Sequence, residues 1–181
     1  MKEYIVKKTA KPSGVCDGIW ESVEPVVLDC VWDDVFPSPY TTLARMVHSD
    51  EGITVKMTSS EWPLTITATE LNTTVCIDSC MEFFFTPNAL DKNYINIEIN
   101  PNGAAYCAVN FRRGDSELIA PCDIETLGIR SAVYDDRWEI EYTIPASFIQ
   151  KYIPTYRHGI GAKIRGNFYK CGDLTDHEHY G

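Results

Sequence analysis

Six side chains spread along the sequence have the chemistry to hold a small polar molecule: Trp62, Tyr94, Arg45, Arg112, Asn100 and Glu82. An indole or phenol ring supplies a flat apolar plate, while guanidinium, amide and carboxylate groups supply donors and acceptors at fixed angles. A small molecule with an apolar face and a rim of donors and acceptors calls for that combination. Trp62 is the first choice for the plate. It lies in Ser59-Ser60-Glu61-Trp62-Pro63, a polar stretch with no apolar periodicity to claim the ring, although a loop Trp also folds back onto a core. Tyr94 alternates with Asn96, Glu98 and Asn100, a pattern that reads as solvated sheet or as the floor of a site, and Tyr106 is the other tyrosine on a wet strand face.

The charged candidates each have a structural reading too. Arg45 interrupts Leu43 and Val47 on its own face and so needs a carboxylate or a ligand, with Glu82, itself set among Met81, Phe83 and Phe85, as the expected partner. Arg112 and Arg113 close a strand, where planar donors suit vicinal hydroxyls but where a solvated pair is commoner. Asp78 stands nearer a strand start and is suited to anchoring a turn. Asp176-His177-Glu178-His179 has the composition of a metal site, but its ligands are adjacent and at a chain end, so a solvated strand is preferred. The acidic residues alternate with apolar ones on strands instead of standing out as a catalytic pair. With no GxSxG, HExxH, P-loop or dinucleotide glycine pattern, the sequence reads as a binding protein and not an enzyme.

Alternation of apolar and polar residues defines the elements that must carry these groups. Strands are expected over 42–48, 52–58, 64–68, 74–85, 93–100, 104–111, 131–134, 138–144 and 160–169, the clearest being Tyr94-Ile95-Asn96-Ile97-Glu98-Ile99-Asn100. Asn100-Pro101-Asn102-Gly103 has the chemistry of a tight hairpin turn. Only 146–152, after Ile144-Pro145, looks helical. Many short strands with one helical turn predict an all-β antiparallel sandwich, of jelly-roll or immunoglobulin type. The whole of 1–181 forms one domain in this reading, with 1–40 as an arm packed on the sandwich. Trp138 shares its face with Ile140, Tyr142 and Ile144 and belongs to the core; Trp20 and Trp32, in the arm, seal an edge.

With 181 residues, 44% apolar and 23% charged, the chain is ordinary for a globular protein. Its net charge of −10 argues against nucleic acid and anionic membrane as partners. No signal segment is evident, so a cytoplasmic location is expected, or a secreted one if the N-terminus is trimmed. The seven cysteines, an odd number without a CxxC pair, read as reduced thiols; Cys76 and Cys80 form the only close pair and lack further ligands for a metal.

Several motifs then stand in a familiar order. Asp78-Ser79-Cys80-Met81-Glu82-Phe83-Phe84-Phe85, Tyr94 to Gly103, Trp138-Glu139-Ile140-Glu141-Tyr142-Thr143-Ile144-Pro145, Gly166-Asn167-Phe168-Tyr169-Lys170 and His179-Tyr180 together resemble the family 9 carbohydrate-binding modules and their DOMON-like relatives. The resemblance runs from about Trp20 to Tyr180. It implies a β-sandwich that binds mono- or oligosaccharides, or glycan ends, between aromatic rings, often beside structural calcium, without catalysis and as an accessory to carbohydrate breakdown. Relatives continue beyond the His-Tyr pair with a Trp and an acidic, Phe-rich tail. Two other readings remain open: a haem-binding relative using Met46, Met57 or Met81 with His48 or His158, and an interaction domain without a small ligand.

Overall fold

The computed structural model describes residues 3–29, 38–88, 91–112 and 114–180, so that Cys30, Trp32 and Arg113 lie outside the described residues. In chain order the strands are β1 (Lys7–Lys8), β2 (Val26–Val27), β3 (Thr42–His48), β4 (Gly52–Ser59), β5 (Cys80–Thr86), β6 (Tyr94–Ile99), β7 (Ala105–Arg112), β8 (Asp115–Leu118), β9 (Arg130–Val133), β10 (Trp138–Pro145), β11 (Arg165–Gly172) and β12 (His179–Tyr180). Two short helices, α1 (Pro121–Ile124) and α2 (Ala146–Tyr152), flank β9 and β10 in sequence.

These strands make two sheets. The first runs β1-β3-β4-β10-β9, with β2 also paired to β3; the second runs β12-β11-β5-β6-β7-β8. Apart from the parallel β1–β3 contact, the pairings are antiparallel. Period-two alternation explains why they stack. Ile53, Val55 and Met57 of β4 and Trp138, Ile140, Tyr142 and Ile144 of β10 share a core with Met81, Phe83 and Phe85 of β5 and Ile95, Ile97 and Ile99 of β6. Phe83 stacks on Phe85 at 4.8 Å and on Phe168 at 4.5 Å, tying β5 to β11 through the interior. Where β4 begins, it passes so close to β10 that a Cβ on Gly52 would stand 2.1 Å from the Ile144 carbonyl oxygen, so glycine is required there.

The sandwich, strands β3, β4, β6, β7, β9 and β10, and α2 agree with the sequence reading, and Gly103, at φ +80°, closes the β6–β7 turn with its N–H on the Asn100 carbonyl. Three expectations fail. Residues 64–68 form no strand, because their backbone is held by side chains instead: Asp78 accepts from the Thr67 and Ala68 N–H groups and Ser79 Oγ from the Thr65 N–H. Residues 74–79 turn, and β5 starts only at Cys80. The last long strand begins at Arg165, since Gly159 and Gly161, both at positive φ, make a turn where 160–164 were expected to be extended. Strand β8 escaped notice: it reads Asp-Ser-Glu-Leu and is exposed throughout, so no buried face marks it.

Candidate binding face

A sandwich has two outer faces, and here they are not equivalent. On the first sheet, Lys56, Glu139, Glu141, Thr54 and Thr143 point outward yet are buried. Residues 13–23 lie over them: Lys56 donates to the Val15 carbonyl and pairs with Glu139 at 2.9 Å, and the Trp20 Nε1–H donates to Glu141 at 2.9 Å. Burial pushes the Glu141 carboxyl up, opposed by the Trp20 hydrogen bond and by Arg130. Arg45 is part of this covered face. Its Nε–H donates to the Val23 carbonyl at 3.0 Å, and it does not pair with Glu82, which stands on the other sheet. The expected Arg45–Glu82 contact is therefore corrected: side chains on the outer faces of opposite sheets point away from each other.

The outer face of the second sheet is open over half its length. Phe84, Tyr94, Asn110 and Tyr169 are half-buried and Asn167 is exposed. Phe84 is 6.1 Å from Tyr94, with the ring planes 21° from parallel, and meets Tyr169 edge-on at 5.2 Å. Beside the rings runs a row of polar side chains: Asn110 Nδ2 donates to Asn96 Oδ1 at 2.7 Å, and Asn96 Nδ2 donates to Glu98 Oε1 at 2.7 Å. Glu98 stands directly opposite Glu82 across β5–β6. Burial, then the Glu82 charge, pushes the Glu98 carboxyl up to about 8. Near neutral pH Glu98 is then an acid able to donate as well as accept.

Towards the other end the same face closes. The 64–79 loop folds over it, packing Ala68, Val75 and Cys76 on Cys80, Ala104, Tyr106, Cys171 and Tyr180. Asn100 is spent on that closure: its Nδ2 donates to the Ala68 carbonyl and to Asp78, and its Oδ1 accepts from the backbone of Asn102 and Ala104. Fully buried, it pins loop to hairpin instead of facing the open half. Burial raises the Asp78 carboxyl, but the hydrogen bonds from Thr67, Ala68 and Asn100 outweigh it and leave the group below its ordinary value.

Of the six candidates, then, the structure brings Tyr94 and Glu82 onto one face, the first open and the second buried. Arg112 lies at the Tyr94 end of β7, exposed and paired with Asp115 at 3.1 Å. Trp62 has 55% of its surface exposed and sits in the loop after β4, at the closed end. Its neighbour Glu61 reaches Lys170 and Trp138 there. The Cys80-to-Thr86 span separates the two ends by about 20 Å. Phe84, Asn110, Asn167 and Tyr169 were not singled out; the signal for them was present in the even spacing of polar or aromatic residues opposite an apolar set, on β5, β7 and β11 of the same sheet.

The sulfur and imidazole groups considered for haem are committed elsewhere. Met57 and Met81 are fully buried in the interior. His48 and His158 pack edge to face at 5.8 Å, and His158 is held by the Tyr156 hydroxyl and the Ser49 carbonyl. In the tail, His179 is fully buried on Lys170 while Glu178 bonds Tyr180; only His179–Tyr180 is strand and Asp176 and His177 lie in a bend, which corrects the solvated strand expected there.

Two antiparallel sheets, one sheathed and the other offering rings beside amides and carboxyls, define the class of β-sandwich binding modules. The profile of carbohydrate-binding family 9 matches residues 20–181, and the chain belongs to that family of non-catalytic carbohydrate-binding modules. Among solved structures it is similar to a Bacteroides uniformis protein described provisionally as carbohydrate-binding, at 24% identity and a TM-score of 0.80, over 97% of this chain and 86% of that one. It is also similar to a family 9 module from Caldicellulosiruptor kristjanssonii solved with cellotriose (16% identity, TM-score 0.65, 92% of this chain and 74% of that one) and with glucose (15%, 0.65, 93% and 77%). At these identities the likeness establishes the fold. No curated protein matches the chain.

Proposed function

We propose that this module holds a monosaccharide or short oligosaccharide on the open half of the second sheet. The ring of the sugar lies against Tyr94, Phe84 and Tyr169, and its hydroxyls meet the Asn110, Asn96 and Glu98 row. The observation that carries this reading is the asymmetry of the two outer faces: one is covered by residues 13–23, while the other leaves three aromatic rings half-exposed next to a hydrogen-bonded row of side chains. A row that already donates and accepts in sequence is preorganised, so few rotamers are frozen when a polyol binds. Glucose and cellotriose, found with the Caldicellulosiruptor module, are the first ligands to test.

The exposed indole of Trp62 favours a second location at the closed end. One pyranose cannot touch both places across about 20 Å. Titration calorimetry with glucose, cellotriose and a wider sugar panel separates them. Tyr94→Ala is expected to weaken binding by about tenfold, the loss of one stacking contact, while Trp62→Ala leaves it within about twofold. The reverse pattern moves the sugar to the Trp62 loop, and no heat from any sugar across the panel leaves the face without a carbohydrate role.

A further inference from the structure

Under the 64–79 loop, three metal-ligating side chains converge without a metal having been assigned to them. Cys80 and Cys171 are direct cross-strand partners on β5 and β11, and Glu82 follows Cys80 on the same face. All three are buried, and their ligand atoms lie within 4.8 Å of one another. The Cys171 thiol donates to Glu82 Oε1 at 2.7 Å, and the Cys80 sulfur is 3.9 Å from the same oxygen. Ligands of a tetrahedral zinc ion, each about 2.0 to 2.3 Å from the metal, stand at mutual distances of this order.

We propose that Cys80, Cys171 and Glu82 form a site for a thiophilic divalent cation of the zinc class. Two sulfurs select soft or borderline ions and disfavour calcium, which takes an all-oxygen shell. Asp173, two residues on from Cys171, stands outside this trio, and its carboxyl is engaged by Cys76 and Tyr180. Thiolate, not thiol, binds a metal, so loading the site must release the protons of both cysteines to solvent.

The test uses Co²⁺ as a probe on the full chain, stripped with chelator and kept reduced. The expected result is a thiolate-to-cobalt charge-transfer band with tetrahedral d–d bands, saturating at one ion per chain. Cys80→Ser and Cys171→Ser are expected to abolish the charge-transfer band, and Cys122→Ser, an exposed thiol, to leave it unchanged. Glu82→Gln keeps the shape of the site if the serine variants do not fold; it is expected to weaken Co²⁺ binding by more than about 100-fold, beyond the loss typical of an outer partner. Absence of the charge-transfer band in the wild type, its survival in a folded Cys80→Ser/Cys171→Ser variant, an undiminished affinity in Glu82→Gln, or a Cys80–Cys171 disulfide in the freshly purified protein would each overturn the proposal.

Discussion

Lys170 and Glu61 form an ion pair with neither side chain exposed: Nζ stands 2.8 Å from Oε2 at the end of the core, where the Trp138 Nε1–H donates to the same oxygen at 3.2 Å. Lys170 also donates to the Cys171 carbonyl and faces His179 Nε2, both at 2.8 Å. His179 Nδ1 is turned to the His177 carbonyl, so the ring is neutral, with its proton on Nδ1 and Nε2 accepting from Lys170. Glu61 thus anchors the first residues after β4 to β10, β11 and β12 together.

Lys170→Met should cost about 3 to 5 kcal/mol in chemical denaturation, because it strands a buried carboxylate. Adding Glu61→Gln removes the stranded charge and should recover most of that loss. Equal destabilisation in the single and double variants would show that packing, and not charge, is what Lys170 supplies.

Trp138→Ala empties a fully buried indole position in the core and is expected to lower stability by about 3 to 5 kcal/mol. Trp62→Ala, more than half exposed, should stay within about 1 kcal/mol. Thermal or denaturant midpoints of the two variants, measured side by side, check the contrast.

Stability should fall on both sides of a plateau between about pH 4.5 and 6.5. Burial, with the Lys170 charge, lowers His179 from 6.5 to about 4, so between those values the unfolded chain binds the extra proton and acid favours unfolding. Glu98 goes the opposite way, from 4.5 up to about 8, so the folded chain holds the extra proton and stability is lost as pH rises through 8. The two slopes cancel between 4.5 and 6.5. Above 6.5 the His179 contribution is complete and the raised carboxyls, Glu98 with Glu82 opposite it, set the slope. Denaturation midpoints across pH for the wild type and Glu98→Gln should show a shallower alkaline decline in the variant.

Asn100→Ala should loosen the 64–79 loop, since it removes the amide that bonds Ala68 and Asp78 and leaves an Asp78 oxygen short of one donor. Hydrogen exchange is expected to speed up at the Thr67, Ala68 and Ala104 amides while the β10 amides keep their protection. Uniform acceleration across both sheets would instead mean that the whole fold had been weakened.

What could be read from the sequence was what lies close along it. The β6 pattern of Ile at every second residue fixed that strand, its wet face and its hairpin, and Pro145, suited to a helix start, located α2. Side-chain partners far apart in sequence were not legible. Arg45 and Glu82 looked like mates because each was a charge among apolar residues, yet nothing in their own strands says which sheet receives them. Cys80 appeared to belong with Cys76, four positions away, whereas its cross-strand partner is Cys171, 91 residues further on. Asn100 shares alternation with Tyr94, but the loop that covers one and spares the other is placed by Asp78, which no periodicity announces.

Both sheets finish on stubs: β1, β2 and β12 have two residues each, and β8 and β9 have four. A neighbouring molecule looking to extend either ladder finds few free backbone groups, and on β8 it meets Asp115 and Glu117 in a chain already carrying ten excess negative charges. Border-to-border stacking is disfavoured by construction. Among the described strands, neither rim offers a second copy a long ladder on which to grow.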